Sequence, residues 1–337
     1  ITFSQNVTAA TLTDPTARNV MKVFGTTSRG YRSGQGFGGA GATMTFTTTA
    51  NFNPGEQVWV SVTNAQSTGG AFTRPFVMGF RMRAGTGPAQ FQSGSVPAVG
   101  TNPRAIASGD FDGDGDIDLA VPNSGSANVS ILPNTGTGTF AAAVNYAVAG
   151  GPENITVGDF DGDGDLDLAT ANTTGNNASV LLNTGNGVFA AAANYTVGTT
   201  GHGITSGDFD GDGDLDLAVA NRGSNNVSIL LNSGAGVFAA ALNYAVGTLP
   251  ESIASGDFDG DGDLDLAVAN SGTNNVSILL NSGAGVFAAA VNYAVGLSPA
   301  SVVGGDFDGD GDLDLATANN SGNNTSVLLN NGTAAFS

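Results

Sequence analysis

The stretch DFDGDGDIDLA, residues 110–120, decides how this chain reads. A near-identical string, DFDGDGDLDLA, begins at Asp159, Asp208, Asp257 and Asp306, so the interval is 49 residues each time. The surrounding sequence repeats in step. NNVSILLNSGAGVFAAALNYAVG at 225–247 is matched by NNVSILLNSGAGVFAAAVNYAVG at 274–296. A landmark Phe recurs at Phe91, Phe140, Phe189, Phe238, Phe287 and Phe336, so the repeats run from about residue 91 to Ser337. A period of this length signals stacked supersecondary units.

Within one unit the pattern predicts four strands: SIASGDF (252–258), LDLAVAN (264–270), NVSILLN (275–281) and FAAAVNYAV (287–295). Apolar and small or polar residues alternate in them, and Gly, Asn and Ser separate them. Four short strands per unit of this length predict a β-propeller blade, so five units predict five blades. FQSGSVPAV (91–99) aligns with strand four, and the last unit stops at NGTAAFS before a strand four of its own. The expectation is that 91–99 completes the last blade and leaves no open edge. Completion of a neighbouring molecule is the alternative.

The Asp-rich string is a candidate metal loop. In the first copy Asp110, Asp112, Asp114 and Asp118 fall at positions 1, 3, 5 and 9, with Gly115 at the sharp bend and the carbonyl of Asp116 at position 7. The other copies place Asp159, Asp161, Asp163, Asp165 and Asp167; Asp208, Asp210, Asp212, Asp214 and Asp216; Asp257, Asp259, Asp261, Asp263 and Asp265; and Asp306, Asp308, Asp310, Asp312 and Asp314. Alternate carboxylates in a tight turn point at one centre, and several hard oxygen donors suit Ca²⁺. The chain has one His and no Cys, so softer metals lack their usual ligands. Position 12 is Val121 rather than a bidentate Glu, which separates the loop from an EF-hand. The expectation is about five Ca²⁺, one per blade.

Charge is divided unevenly. The formal net charge is −20, yet residues 1–90 carry seven basic and two acidic side chains. Residues 91–337 carry only Arg104 and Arg222 against 27 acids. Such an acidic surface repels nucleic acid and anionic lipid and attracts cations. No apolar run reaches the length of a membrane span. The chain opens at Ile1 without a leader, and the expectation is an exported protein whose signal peptide is absent from this sequence.

The five DFDGDGD loops in register resemble the FG-GAP or VCBS repeat of integrin-like propellers. That resemblance covers about 247 of the 337 residues. It implies Ca²⁺ in the turn between the first two strands of each blade, held by the Asp at positions 1, 3, 5 and 9. Two departures stand out: the unit is short for that family, and five blades are implied where seven are usual. Residues 1–88 lack the repeat. Their ITFSQNV, ATMTFTTTANFNPGEQVWVSVT and RPFVMGFRMRAG segments resemble bacterial Ig-like domains, which implies a small β-sandwich. Residues 25–41 read as a Gly-rich loop, and Trp59 as a core residue. The expected domains are thus 1–88 (sandwich) and 89–337 (propeller) in an all-β chain.

No catalytic residue is expected. His202 is the single histidine and has no nucleophile beside it in sequence, and a catalytic acid pair would break the repeat rather than follow it. The position two before the first-strand Ile or Val varies: Arg104, Glu153, His202, Glu251, Ala300. With Arg222, these variable residues fall on the propeller face opposite the metal loops, where repeat folds present ligands. The expected function is a non-catalytic extracellular or cell-surface structural and adhesive module of bacterial type. Opposite charges on its two domains would favour head-to-tail filaments. A lectin using the variable face for surface glycans is the alternative.

Overall fold

A computed structural model describes residues 96–136 and 138–337, and before them the backbone of nine strands. The chain divides into two units, Ile1–Ser93 and Gly94–Ser337. In the first, β2 (Met21–Gly25), β6 (Gln57–Val62) and β9 (Phe76–Arg81) form one antiparallel sheet. A second sheet has the order β4-β1-β7-β8, from β1 (Thr2–Val7), β4 (Gly41–Thr43), β7 (Gln66–Ser67) and β8 (Gly70–Ala71). β3 (Gly34–Gly38) pairs with β5 (Thr45–Thr48), Phe37 opposite Phe46. A strand therefore forms inside the stretch expected to be a Gly-rich loop, because ladder hydrogen bonds need only backbone. Trp59 lies in β6, and its side chain falls outside the described residues.

The second unit is a series of antiparallel sheets, each meandering in chain order. The first contains β10 (Ala107–Gly109), β11 (Asp118–Asn123), β12 (Asn128–Leu132) and β13 (Val144–Ala147). The next three run β14 (Pro152–Gly158) to β17 (Ala193–Thr196), β18 (Gly201–Gly207) to β21 (Leu242–Ala245), and β22 (Pro250–Gly256) to β25 (Val291–Ala294). The fifth has three strands, β26 (Pro299–Gly305), β27 (Asp314–Asn319) and β28 (Asn324–Leu328). Successive four-stranded meanders of this kind fit a β-propeller. Residues 96–100 hold no strand and 91–95 lie outside the described residues, so the expected pairing of 91–99 with the last blade is not seen. Every element among the described residues is a strand, and no helix among them is long and apolar enough to cross a membrane.

Packing follows from the alternation in strand two. In β19 (Asp216–Asn221), Leu217 and Val219 face the preceding blade, where they meet Ala169, Ala171, Ala178 and Val180. Ala218 and Ala220 face the following blade and meet Leu266, Val268 and Leu279. Large residues on one side thus fill the space left by small ones on the other, at all four blade interfaces. The hairpin after strand two closes on a left-handed residue: Asn176, Asn225, Asn274 and Asn323 at φ of 50–55°, with Ala127 in the first blade at 51°. Asn tolerates that conformation better than other non-Gly residues, which explains the NN pair before strand three. The fourth strands are shorter than expected, four residues each, and mostly exposed. The landmark Phe before each makes an isolated bridge, such as Asn281 with Phe287, and Phe189, Phe238 and Phe287 pack in the core while Phe140 is only partly buried.

Candidate metal centres and the opposite face

Each DFDGDGD loop leaves strand one and returns as strand two. Its glycines at positions 4 and 6 adopt positive φ, 75° and 97° at Gly113 and Gly115, and so permit the coil. The carboxylates hold that coil through turns to backbone N–H groups. In the third copy Asp208 Oδ1 accepts from the Gly211 amide at 2.7 Å, and Oδ2 from Gly213 at 3.1 Å. Asp210 Oδ1 accepts from Asp212 at 3.2 Å, and Asp212 Oδ1 from Asp214 at 2.9 Å. The free lone pairs of these oxygens remain for a cation.

Position 9 differs from the rest. Asp216 is fully buried and opens β19. Its Oδ2 accepts from the Phe209 amide at 2.8 Å, and Oδ1 from the Asn232 amide at 2.7 Å, beyond strand three. One carboxylate thus ties the metal loop to the far turn of its own blade. The same pair of bonds is made by Asp118, Asp167, Asp265 and Asp314.

In all five copies the carboxylates at positions 1, 3 and 9 place oxygens within 4.8 Å of one another. Position 5 and position 7 aspartates fall outside that group. Three converging carboxylates, all hard oxygen donors, could hold a metal ion and are consistent with Ca²⁺. The charge shows in their acidity. Burial, with the aspartates at positions 3 and 5 adding to it, pushes Asp167, Asp216 and Asp265 up to about 6, against the pull of the two N–H bonds. Burial likewise raises Asp118 and the position-3 residues Asp112, Asp161, Asp210 and Asp259, with neighbouring aspartates contributing. Asp314, in the fifth repeat, moves the other way, because the hydrogen bonds from the Asn330 and Phe307 amides outweigh burial there.

The chain carries a match to the FG-GAP-like repeat at residues 110–170, 161–219, 208–268 and 257–317. It belongs to the FG-GAP-like repeat family. No curated protein matches it in sequence. Among solved structures, a protein from Bacteroides uniformis proposed to be a 6-phosphogluconolactonase is 16% identical, with 94% of each chain covered and a TM-score of 0.57. A functionally unknown protein from Desulfotomaculum acetoxidans is 15% identical over 83% of this chain and 74% of its own, at 0.53. An Agrocybe aegerita lectin that recognises non-reducing terminal N-acetylglucosamine is 18% identical over 97% and 81%, at 0.48. At these identities the likeness is one of fold.

On this FG-GAP-like scaffold the variable residues come together across four blades. Arg104 Nε lies 3.5 Å from Glu153 Oε2, and Arg222 Nε donates to Glu251 Oε1 at 2.8 Å. His202 Nε2 lies between the two carboxylates, 3.8 Å from Glu153 Oε1 and 3.4 Å from Glu251 Oε2. Its Nδ1 is 2.9 Å from the Glu251 carbonyl. Ser271 Oγ donates to Glu251 Oε1 at 2.9 Å. The two glutamates are largely buried and the two arginines about half exposed, so the cluster offers its cationic ends outward. The sequence placed these residues on one face, but their ion-pair linkage was not visible there, with four of them standing at one repeat position and Arg222 elsewhere.

A buried polar chain was also missed. Asn221 Nδ2 donates to Ser228 Oγ at 2.8 Å, and Ser228 Oγ to Asn243 Oδ1 at 2.7 Å, joining strands two, three and four. The amide of Gly198 donates to the same Ser228 oxygen at 3.1 Å, which ties in the segment entering the blade. The cue in the sequence is the recurring Asn–Ser–Asn at fixed offsets inside apolar strands.

Proposed function

We propose that the repeat unit is a Ca²⁺-stabilised, non-catalytic structural and binding module of an extracellular or cell-surface protein. The observation that carries this reading is the five-fold recurrence of a three-carboxylate cluster whose buried member anchors the whole blade. Without a cation the converging charges repel one another. With Ca²⁺ that repulsion becomes coordination, and each loop is fixed to its blade. A ligand that binds only the folded state stabilises it by mass action. The Ig-like reading of residues 1–88 and the bacterial surface location belong to the same proposal.

The test is thermal unfolding with Ca²⁺ and after chelation. A Ca²⁺-dependent rise in melting temperature, absent with Mg²⁺ at the same concentration, is expected. An identical melt in chelator and in millimolar Ca²⁺ sinks the reading.

A second reading is favoured by one observation, the ion-linked cluster of Arg104, Glu153, His202, Glu251 and Arg222. Two guanidinium groups held by partly buried carboxylates, in a cluster that is neutral overall, present a fixed set of hydrogen-bond donors suited to a glycan carrying hydroxyl, carboxylate or sulfate groups. Binding of such glycans that is lost in Arg222→Ala, with Ca²⁺-dependent melting intact, would support the lectin alternative; unchanged binding would remove it.

A further inference from the structure

The position-9 aspartates are joined from blade to blade. In the second repeat Asp167 Oδ2 accepts from the Phe160 amide at 2.8 Å. The Phe160 carbonyl accepts from Asn232 Nδ2 of the third repeat at 2.8 Å, and the backbone amide of Asn232 donates to Asp216 Oδ1 at 2.7 Å. Asp216 Oδ2 takes the Phe209 amide, and the pattern begins again. Asn183, Asn281 and Asn330 make the same pair of bonds at three further interfaces. One path of hydrogen bonds, each 2.7–2.9 Å long, therefore runs from Asp118 to Asp314 through all five carboxylate clusters.

Each of the four asparagines is buried, at most 5% exposed, and its side chain touches two loops. Asn232 Nδ2 also donates to the carbonyl of Leu215, position 8 of its own loop, at 3.1 Å. The Phe160 carbonyl that it holds belongs to the peptide leading into Asp161, position 3 of the preceding loop. The Gly236 amide, also of the third repeat, takes a second lone pair of that carbonyl at 2.9 Å. The setting of position 3 in one loop and of positions 8 and 9 in the next thus passes through a single side chain. Buried hydrogen bonds in series reinforce one another, so order at one end favours order at the other.

We propose that Asn183, Asn232, Asn281 and Asn330 couple neighbouring Ca²⁺ sites, so that filling one loop raises the affinity of the loops on either side. The proposal rests on the Ca²⁺ reading above and makes these asparagines positioning residues rather than ligands. An empty loop is opened by repulsion among its carboxylates, and a filled one is held. A filled loop fixes the Phe carbonyl, the carbonyl holds the Asn, and the Asn presets the next position-9 carboxylate. The second cation then pays less ordering entropy than the first. Coupling of this kind is reciprocal.

The experiment adds Ca²⁺ stepwise to the full chain at high salt and follows the amide NMR signals of Gly115, Gly164, Gly213 and Gly262. Each of these amides donates to the position-1 carboxylate of its own loop, so each reports one site. Asp161→Asn weakens the second site. The midpoints at its neighbours, Gly115 and Gly213, should then rise about fivefold, and that at Gly262, one link further on, should rise less. Charge acts in the opposite sense. The substitution removes one negative charge and the lost cation two positive ones, so the emptied loop is more negative and draws Ca²⁺ to its neighbours. With Asn232→Ala in place, adding Asp161→Asn should leave Gly213 unmoved and still raise Gly115, which is linked through Asn183. Tyr195→Phe removes the Tyr195 Oη bond to the Gly236 carbonyl, 3.0 Å across the same interface and outside both loops, and should leave the rise at Gly213 intact. A Gly213 midpoint that ignores Asp161→Asn, or that rises equally with and without the Asn232 side chain, overturns the proposal. Should Asn232→Ala fail to fold, Asp161→Asn alone decides, since equal rises at Gly213 and Gly262 are incompatible with a path of successive links. Ca²⁺ shifts at no glycine would instead overturn the Ca²⁺ reading itself and the coupling with it.

Discussion

At the scale of single residues, the position-9 aspartates carry opposed demands. Asp216 must be buried to receive the Phe209 and Asn232 amides, yet burial disfavours its charge. Its pKa of about 6 lies above the ordinary 3.8, so between those values the folded chain holds more protons than the unfolded one. Stability from such a group is present at low pH and falls as pH rises through 6. At about 1.4 kcal/mol per pKa unit, the cost at neutral pH is at most about 3 kcal/mol per site. Asp167 and Asp265 act in the same sense, and Asp314, shifted down, in the opposite one. The Ca²⁺-free protein should therefore melt higher near pH 4.5 than near 7.5, and Ca²⁺ should erase or reverse the order. Calorimetry in chelator at the two pH values checks this; a chelated protein that melts higher at the upper pH contradicts it. Position 3 gives a cleaner substitution. Asp210→Asn keeps the acceptor for the Asp212 amide and removes one of the clustered charges. The relief is below about 1 kcal/mol for a partly exposed pair, so the Ca²⁺-free melting temperature should rise by up to about 3 °C. The gain on adding Ca²⁺ should shrink by about one fifth, one cluster in five being weakened. Both carboxylates were legible from the spacing of the loop. Asp216 as a clamp on Asn232 was not, because sequence separation hides which turn lies beside the loop.

Among the elements, one sequence position has two environments, and the contrast can be measured. Phe209 is buried between two blades, packed edge-on against Phe287 at 5.8 Å, and its carbonyl takes the Asn281 amide. Phe307 has the same place in its repeat and stands half exposed. Truncation of a fully buried Phe costs about 3–5 kcal/mol, so Phe209→Ala should lower the melting temperature by roughly 6–20 °C. Phe307→Ala should change it far less in dilute monomer. Equal losses would mean that the last blade is covered in solution by part of its own chain. The repeat, the four-strand unit and the small-against-large strand-two faces could all be read from the 49-residue period and its alternation. Three features could not. The fourth strand was expected to begin at the landmark Phe, but the ladder spans only residues such as Val291–Ala294, while that Phe makes an isolated bridge and packs in the interface. The Asn–Ser–Asn chain escaped notice, since a buried Ser within an apolar strand resembles a small filler until its partners are in place. Closure of the series by 91–99 depends on the angle between blades, and no local pattern encodes an angle.

For the whole molecule, cation binding and charge pull on one balance. The repeat region carries 27 acids against two arginines, and 25 of those acids sit in the five loops. Charge this concentrated opposes the compact state by self-repulsion. Two agents can relieve it, and they act at different ranges. Monovalent salt screens over a Debye length of about 8–10 Å, which reaches from loop to loop across exposed surface. It acts weakly inside a cluster whose oxygens lie within 4.8 Å and whose position-9 member is buried. Ca²⁺, on the proposed reading, would enter the cluster itself. The chelated protein should therefore gain melting temperature as NaCl rises from about 50 to 500 mM, without reaching the value set by Ca²⁺ at low salt. The Ca²⁺-loaded protein, with its loops neutralised in part, should depend on salt more weakly. Direct titration should give about five Ca²⁺ per chain, one for each cluster. The site at Asp306, Asp308 and Asp314 should be the weakest, since its loop is the most exposed, with Phe307 50% exposed against 1% for its counterparts. Calorimetric titration resolves this as four similar sites and one of lower affinity. Five indistinguishable sites would mean that the last loop has the same surroundings as the others, and hence that its open side is covered. A salt response equal with and without Ca²⁺ would show that the loops do not carry the repulsion.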